Sequence, residues 1–306
     1  MTDPDLPAPA DLPSADDLPQ ALLDLGVPHI DINPLVAART RLARDPGLRR
    51  VFARAAGEQS AAVGTVGRPA GLPPQWPDAP GEVGRLLPAL LFTALAPQAR
   101  AWHRSRGVPP EVSRATLADL GRQLTVHRRR HGTPGLGSAN WLTLHLRGEL
   151  FQLGRLQFQR HRLRPQEAVD AAAPAAGTWC LVLHVPDFCG PLTPRACDAS
   201  LDRARAFFAL HFPAEPYRTA CIFSWLLDGQ LADRLPAEAN IVRFQRRFRP
   251  LRPDRGPSDA EPLGFVFTDP ELPPERLPRE TALQRALADH LRAGGHWYVG
   301  SGWCPL

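Results

Sequence analysis

The sequence predicts an α/β (α+β) fold: a mixed central sheet flanked by helices, preceded by a helical N-terminal domain. Three observations carry this expectation. Residues 179–185 (WCLVLHV) are a nearly unbroken apolar run, as in a central strand covered on both faces. That run stops at Pro186, and a glycine-containing loop and a helix start follow it, after which strand-like and helix-like segments alternate to the C-terminus. Ahead of about residue 132 the apolar residues recur at helical spacing instead.

In chain order, residues 1–20 are acidic and Pro-rich and read as a disordered tail, with too little apolar surface to repay ordering. A helical domain is expected over 21–135. It holds a helix around 35–55, a Pro/Gly-rich interval at 67–81, and a helix from Glu82 with Leu86, Leu87, Leu90, Leu91 and Leu95 on its stripe. A further helix follows Pro109 and Pro110, with Leu117, Leu120, Leu124 and His127, and closes on Arg128, Arg129 and Arg130, where cations suit the helix dipole. The stretch 131–140 (HGTPGLGSAN) marks the boundary to a second domain over 136–306.

There a helix is expected at 141–151 and an alternating strand at 153–163, then an Ala-rich connection at 168–177 and the central strand. Thr193 as N-cap and Pro194 in the first helical position open a helix with Cys197, Leu201, Ala204 and Phe208 on one face. A strand at 217–225, a short helical turn at 226–235 and a strand at 240–248 come next, with Val242, Phe244 and Phe248 facing inward. After an irregular linker at 251–261, the pattern predicts a strand at 264–268. A helix carrying Leu283, Leu287 and Leu291 stops at Gly294 and Gly295, and 296–300 forms a last strand.

Composition removes several function classes. The chain of 306 residues is 43% apolar and 22% charged, as in a soluble globular protein. All 36 basic residues are arginine, so a catalytic lysine, a Schiff base with pyridoxal phosphate and a Walker-type P-loop are excluded. The net charge of +5 is interspersed with 31 acidic residues, and no nucleic-acid-binding spacing occurs. The longest apolar run, 86–96, is too short to span a bilayer, and the N-terminus lacks the features of a signal peptide. Cys180, Cys189, Cys197, Cys221 and Cys304 are odd in number with no C-x-x-C pair, which fits reduced thiols in a cytoplasm. His184 near Cys180 and Cys189 matches no zinc spacing, and no metal is expected.

The sharpest functional signal is the corner after the central strand. A strand feeding a glycine-containing loop and then a helix N-terminus gathers backbone N–H groups and the positive end of a helix dipole at one point. Phe188, Cys189, Gly190, Leu192 and Thr193 would line a site for an anion there, and a phosphate-bearing cofactor would want arginines nearby.

The strings at 183–213 (LHVPDFCGPLTPRACDASLDRARAFFALHFP), 223–236 (FSWLLDGQLADRLP), 240–248 (NIVRFQRRF) and 140–160 (NWLTLHLRGELFQLGRLQFQR) resemble a bacterial two-domain acyltransferase-like family. In that family a helical N-acyltransferase domain precedes a GNAT-like domain. The resemblance implies acyl-CoA as co-substrate, with no permanently bound cofactor, a small-molecule amine as acceptor, and an acyl carrier protein as a possible donor. The usual loop pattern of that fold, Q/R-x-x-G-x-G/A, is reduced here to the single Gly190, and Pro191 removes one N–H donor.

Acyl transfer to an amine needs a base, an oxyanion donor and an acid for the departing thiolate. His184, at the C-terminal end of the central strand, is the candidate base, with a hydrogen-bonded core histidine as its other reading. Ser224 and Asp228 flank the end of the next strand, and Asp228 also reads as a helix N-cap. Trp225 and Asn240 are candidate substrate contacts, Asn240 alternatively closing a turn. Of the two tyrosines, Tyr217 and Tyr298, the second is the candidate acid, set in the final strand. Two rival readings remain: a nucleophilic Cys189 paired with His184, and a catalytically inactive fold that recognises a ligand or a protein.

Overall fold

A computed structural model describes residues 12–67, 72, 81–167, 174–251 and 256–306. The start of the expected tail, most of the Pro/Gly-rich interval, much of the Ala-rich connection and part of the 251–261 linker fall outside these residues. The chain divides into two compact units, Met1–Gln152 and Leu153–Leu306.

The first unit is helical: α1 (Leu18–Leu23), α2 (His29–Arg44), α3 (Pro46–Ser60), α4 (Glu82–Ser105), α5 (Pro110–Leu117), α6 (Asp119–His131) and α7 (Ala139–Leu146). Leu86 through Ala96 are buried without a break along α4, so this helix is apolar all round and serves as the core onto which α2, α3 and α7 pack. The single helix expected around 35–55 is two. Asp45 leaves helical geometry at φ −105°, and its carboxylate accepts from the Gly47 and Leu48 N–H groups at 2.8 and 3.1 Å, which caps α3. Leu18, within the expected tail, is fully buried in this core, and Leu12 packs against it. Leu142 and Leu146 of α7 lie in the same core, so this helix, grouped by sequence with the second domain, belongs with the first unit.

The six-stranded sheet runs in the order β1-β2-β3-β4-β6-β5. Its strands are β1 (Leu150–Leu153), β2 (Leu156–Arg162), β3 (Trp179–His184), β4 (Thr219–Ser224), β5 (Arg249–Pro250) and β6 (Gly300–Pro305). β2 pairs antiparallel with β3, β3 parallel with β4, and β6 antiparallel with both β4 and β5. The parallel pair needs a crossover, and α8 (Pro194–His211) supplies it. The remaining helices are α9 (Gln230–Arg234), α10 (Asn240–Gln245), α11 (Ala260–Val266) and α12 (Ala282–Arg292), with a 3-10 turn at Trp225–Leu227 after β4.

Four sequence expectations need correction here. Residues 240–248 are not a strand: 240–245 form α10, with Val242 and Phe244 buried, so Asn240 opens a helix. Residues 264–268 are not a strand either, since α11 extends to Val266. The helix expected over 141–151 ends at Leu146, and β1 takes its last two residues. The last strand is 300–305 rather than 296–300, so Tyr298 precedes it and makes only an isolated bridge to Pro257.

Candidate active site

β3 ends on His184 and β4 on Ser224, both past the C-terminal end of the paired stretch. The ladder between them comprises Leu181↔Ala220 and Val182↔Cys221, and both strands run beyond it. His184 is half-buried, and its Nε2 lies 3.0 Å from Gln159 Oε1 on the neighbouring β2. With the amide oxygen accepting, Nε2 carries the proton. Sequence reasoning missed Gln159, which reads only as the polar face of an alternating strand.

The loop after β3 turns through two left-handed residues, Phe188 at φ 58° and Gly190 at φ 80°. A side chain at Gly190 would meet no protein atom within 4 Å, so within the chain its glycine serves the backbone turn. Phe188 is half exposed, Cys189 is half-buried and Leu192 tucks inward. Thr193 caps α8, its Oγ1 accepting from the Ala196 N–H at 3.2 Å, with Pro194 at the first helical position. Among the described residues the backbone N–H groups of Cys189, Gly190, Leu192, Thr193 and Arg195 donate to no protein acceptor. Five amide donors thus lie within the seven residues 189–195 that lead into an 18-residue helix, whose N-terminus is its positive end.

Two arginines that the sequence did not single out flank this corner. Arg247 pairs with Asp198 and donates to Pro194 O at 3.2 Å, holding the start of α8. Arg155, in the turn between β1 and β2, donates from Nη1 to Pro186 O at 3.0 Å, at the mouth of the loop. Burial pushes the Arg155 guanidinium below its usual pKa, against the opposing influence of Cys189, Cys197 and Asp187.

The other expected residues form a second cluster. Ser224 Oγ accepts from the Leu226 N–H at 3.2 Å, capping the turn after β4. Asp228 is buried: Oδ1 accepts from the Gln230 N–H at 2.9 Å, and Oδ2 accepts from Gln230 Nε2 at 3.2 Å and from the Tyr298 N–H at 2.8 Å. Asp228 and Tyr298 are therefore brought together through a backbone bond. Trp225 is buried in the core with Leu231, Leu287 and Trp297. Asn240 is the first residue of α10, whose Gln245 ties the turn by donating to Leu226 O and Asp228 O, both at 2.8 Å. A cavity of about 290 Å³ lined by Leu181, Phe208, Phe212 and Tyr217 lies at the start of β4, and none of the expected catalytic residues lines it.

Residues 16–148 match the N-acyltransferase N-terminal domain, and residues 150–304 match the GNAT-like C-terminal domain. No curated protein matches the chain significantly. Among solved structures, an acyltransferase mutant in complex with octanoyl-CoA is 36% identical, with a TM-score of 0.89 over 98% of this chain and 91% of that one. An acyltransferase in complex with decanoyl-CoA and teicoplanin is 36% identical, with a TM-score of 0.87 over 99% of this chain and 91% of that one. An acyltransferase in complex with CoA and 10C-Teicoplanin matches at 36% identity and a TM-score of 0.88, over 98% and 91%. Both domain matches together span nearly the whole chain, and the chain belongs to the N-acyltransferase family that joins an N-acyltransferase N-terminal domain to a GNAT-like C-terminal domain.

Proposed function

We propose that the protein transfers a medium-length or longer acyl group from acyl-CoA to an amine on a small molecule, with a glycopeptide of the teicoplanin kind as the model acceptor. The observation that carries this reading is the 36% identity, over 98% of the chain, to an acyltransferase seen with octanoyl-CoA, together with the decanoyl-CoA and teicoplanin complex at the same identity. The residues present fit the co-substrate. Five unengaged amide donors after β3 and a half-buried arginine beside them suit a diphosphate.

Acyl-CoA supplies a thioester carbonyl and a departing thiolate. His184 takes the proton of the attacking amine, and the bond to Gln159 orients its ring. Tyr298 returns a proton to the thiolate. Asp228 fixes the backbone at Tyr298, and Ser224 fixes the end of β4, so both act as positioning residues. Trp225 and Asn240 support the walls of the site from the core and from the start of α10. A carrier protein bearing the same pantetheine arm is a second donor in this scheme. The free cysteines of the chain suit a reducing cytoplasm as the place of reaction.

The test is incubation with decanoyl-CoA and a teicoplanin-type amine, followed by mass spectrometry and a thiol assay. The reading predicts acceptor carrying one decanoyl group, matched one to one by free CoA. Thiol release with only decanoic acid as product would count against acyl transfer to an amine.

A further inference from the structure

We infer that Arg155 is the anion-binding and positioning residue for the diphosphate of acyl-CoA, an assignment that rests on the acyl-CoA reading above. The hairpin turn that carries it is fixed to α8. The Arg155 backbone N–H donates to Ser200 Oγ at 2.8 Å, and that hydroxyl donates in turn to Ala196 O at 2.9 Å. The side chain then reaches to Pro186, where the loop begins, through its 3.0 Å bond from Nη1. One residue thereby joins β2, α8 and the first carbonyl of the loop.

Among the described residues its charge has no carboxylate to meet it in an ion pair, and a loop of free amides lies beside it. Five other buried or half-buried arginines have a carboxylate partner: Arg122 with Asp119, Arg128 with Asp31, Arg147 with Glu149, Arg160 with Glu215 and Arg247 with Asp198, whereas Arg39 and Arg100 donate to the carbonyls of Pro13 and Asp24. Arg155 has no such ion pair among the described residues, and its buried Nε has no hydrogen-bond partner. Removing a guanidinium from water without a counter-ion is costly, and a bound anion repays that cost. The loop beside it has the complementary shortage: Pro191 has no N–H, and Gly190 is the only glycine. A forked guanidinium with Nε and Nη2 uncommitted supplies two donors in the geometry that suits phosphate oxygens.

Calorimetric titration of octanoyl-CoA and octanoyl-pantetheine into the wild-type protein, Arg155→Gln and Arg155→Lys tests the assignment, because only the first ligand carries the diphosphate. Arg155→Gln is expected to weaken octanoyl-CoA by about tenfold or more, the loss expected for a charge-assisted bond. Octanoyl-pantetheine should change by less than about twofold on the same scale. Arg155→Lys should fall between wild type and glutamine for octanoyl-CoA. Equal losses for both ligands would assign Arg155 to loop shape alone and overturn the inference, as would unchanged affinity for octanoyl-CoA. If the glutamine variant does not fold, the lysine variant decides by the same comparison. Wild-type protein that binds no octanoyl-CoA would overturn the acyl-CoA reading itself, whereas wild-type binding unaffected by the variants overturns this inference only.

Discussion

His184 and Gly190 show how single residues set the corner after β3. His184 sits half-buried at a strand end, where it bonds Gln159. His184→Ala should lower kcat by about 10²- to 10⁴-fold, the range for a lost general base, with little change in KM for acyl-CoA or in melting temperature. Steady-state kinetics at fixed acceptor concentration checks this. Gly190→Ala isolates the backbone term, because the added methyl meets no neighbour and only φ 80° is disfavoured. It should cost roughly 1 kcal/mol and raise KM for acyl-CoA, measured by denaturant midpoint and kinetics. His184, Gly190 and Thr193 were legible because each sits at a point where an apolar run ends or a helix begins. Arg155 and Gln159 were not. In a chain whose basic residues are all arginine, nothing local tells which guanidinium lacks a carboxylate partner.

At the scale of elements, the start of α8 was legible, since Thr193 and Pro194 announce it, and so was most of its buried face, where Cys197, Ala204 and Phe208 are buried and Leu201, expected with them, is only partly so. α10 and α11 were misread because six or seven residues rich in Val, Ile and Phe do not separate a strand from one and a half helical turns. Tertiary packing decided for helix, burying Val242 and Phe244 while Gln245 ties α10 to the turn after β4. β6 was misplaced for a different reason. The apolar residues Trp297, Tyr298 and Val299 drew the expected strand to 296–300, yet Gly300 and Gly302 are the residues that let the strand close on its neighbours. A Cβ at Gly300 would stand 2.7 Å from Leu227 O, in the rigid turn that also carries Asp228. Gly300→Ala should therefore destabilise the second unit by about 1–3 kcal/mol, the usual cost of overpacking, as read by the denaturant midpoint.

At the scale of the whole molecule, two units of similar length carry different kinds of core. The sequence revealed the helical-then-α/β order, and the division between Gln152 and Leu153 was hidden because α7 follows a Pro/Gly-rich stretch that reads like a linker. The first unit also buries a polar cluster. Asp119 accepts from Arg122 Nε at 2.7 Å and Trp141 Nε1 at 3.0 Å and lies 3.3 Å from His145 Nε2, and His103 Nδ1 lies 2.8 Å from Ser113 Oγ. Burial, with His145 and Arg100 nearby, depresses His103 from 6.5 to about 3. Burial likewise lowers His145, despite Asp119. Burial pushes Asp119 up, but His145, Arg122 and Trp141 together bring it below its usual value. The unfolded chain thus binds more protons than the folded one as pH falls below 6.5, and His103 alone erodes stability from there down to about pH 3. Asp119 adds to the loss below 3.8, its ordinary value. The urea midpoint should be level above pH 7 and fall steadily from pH 6 to 4, and a flat profile would contradict the buried-histidine account.

Binding of acyl-CoA at the corner between β3 and α8 is the claim on which the rest depends, and thermal unfolding tests it most directly. A ligand that binds only the folded state at about 100 times its Kd stabilises that state by roughly 2.7 kcal/mol. Saturating decanoyl-CoA should raise the melting temperature of the full chain by several degrees, and free CoA should do so to a smaller extent. No shift with either ligand would contradict the account.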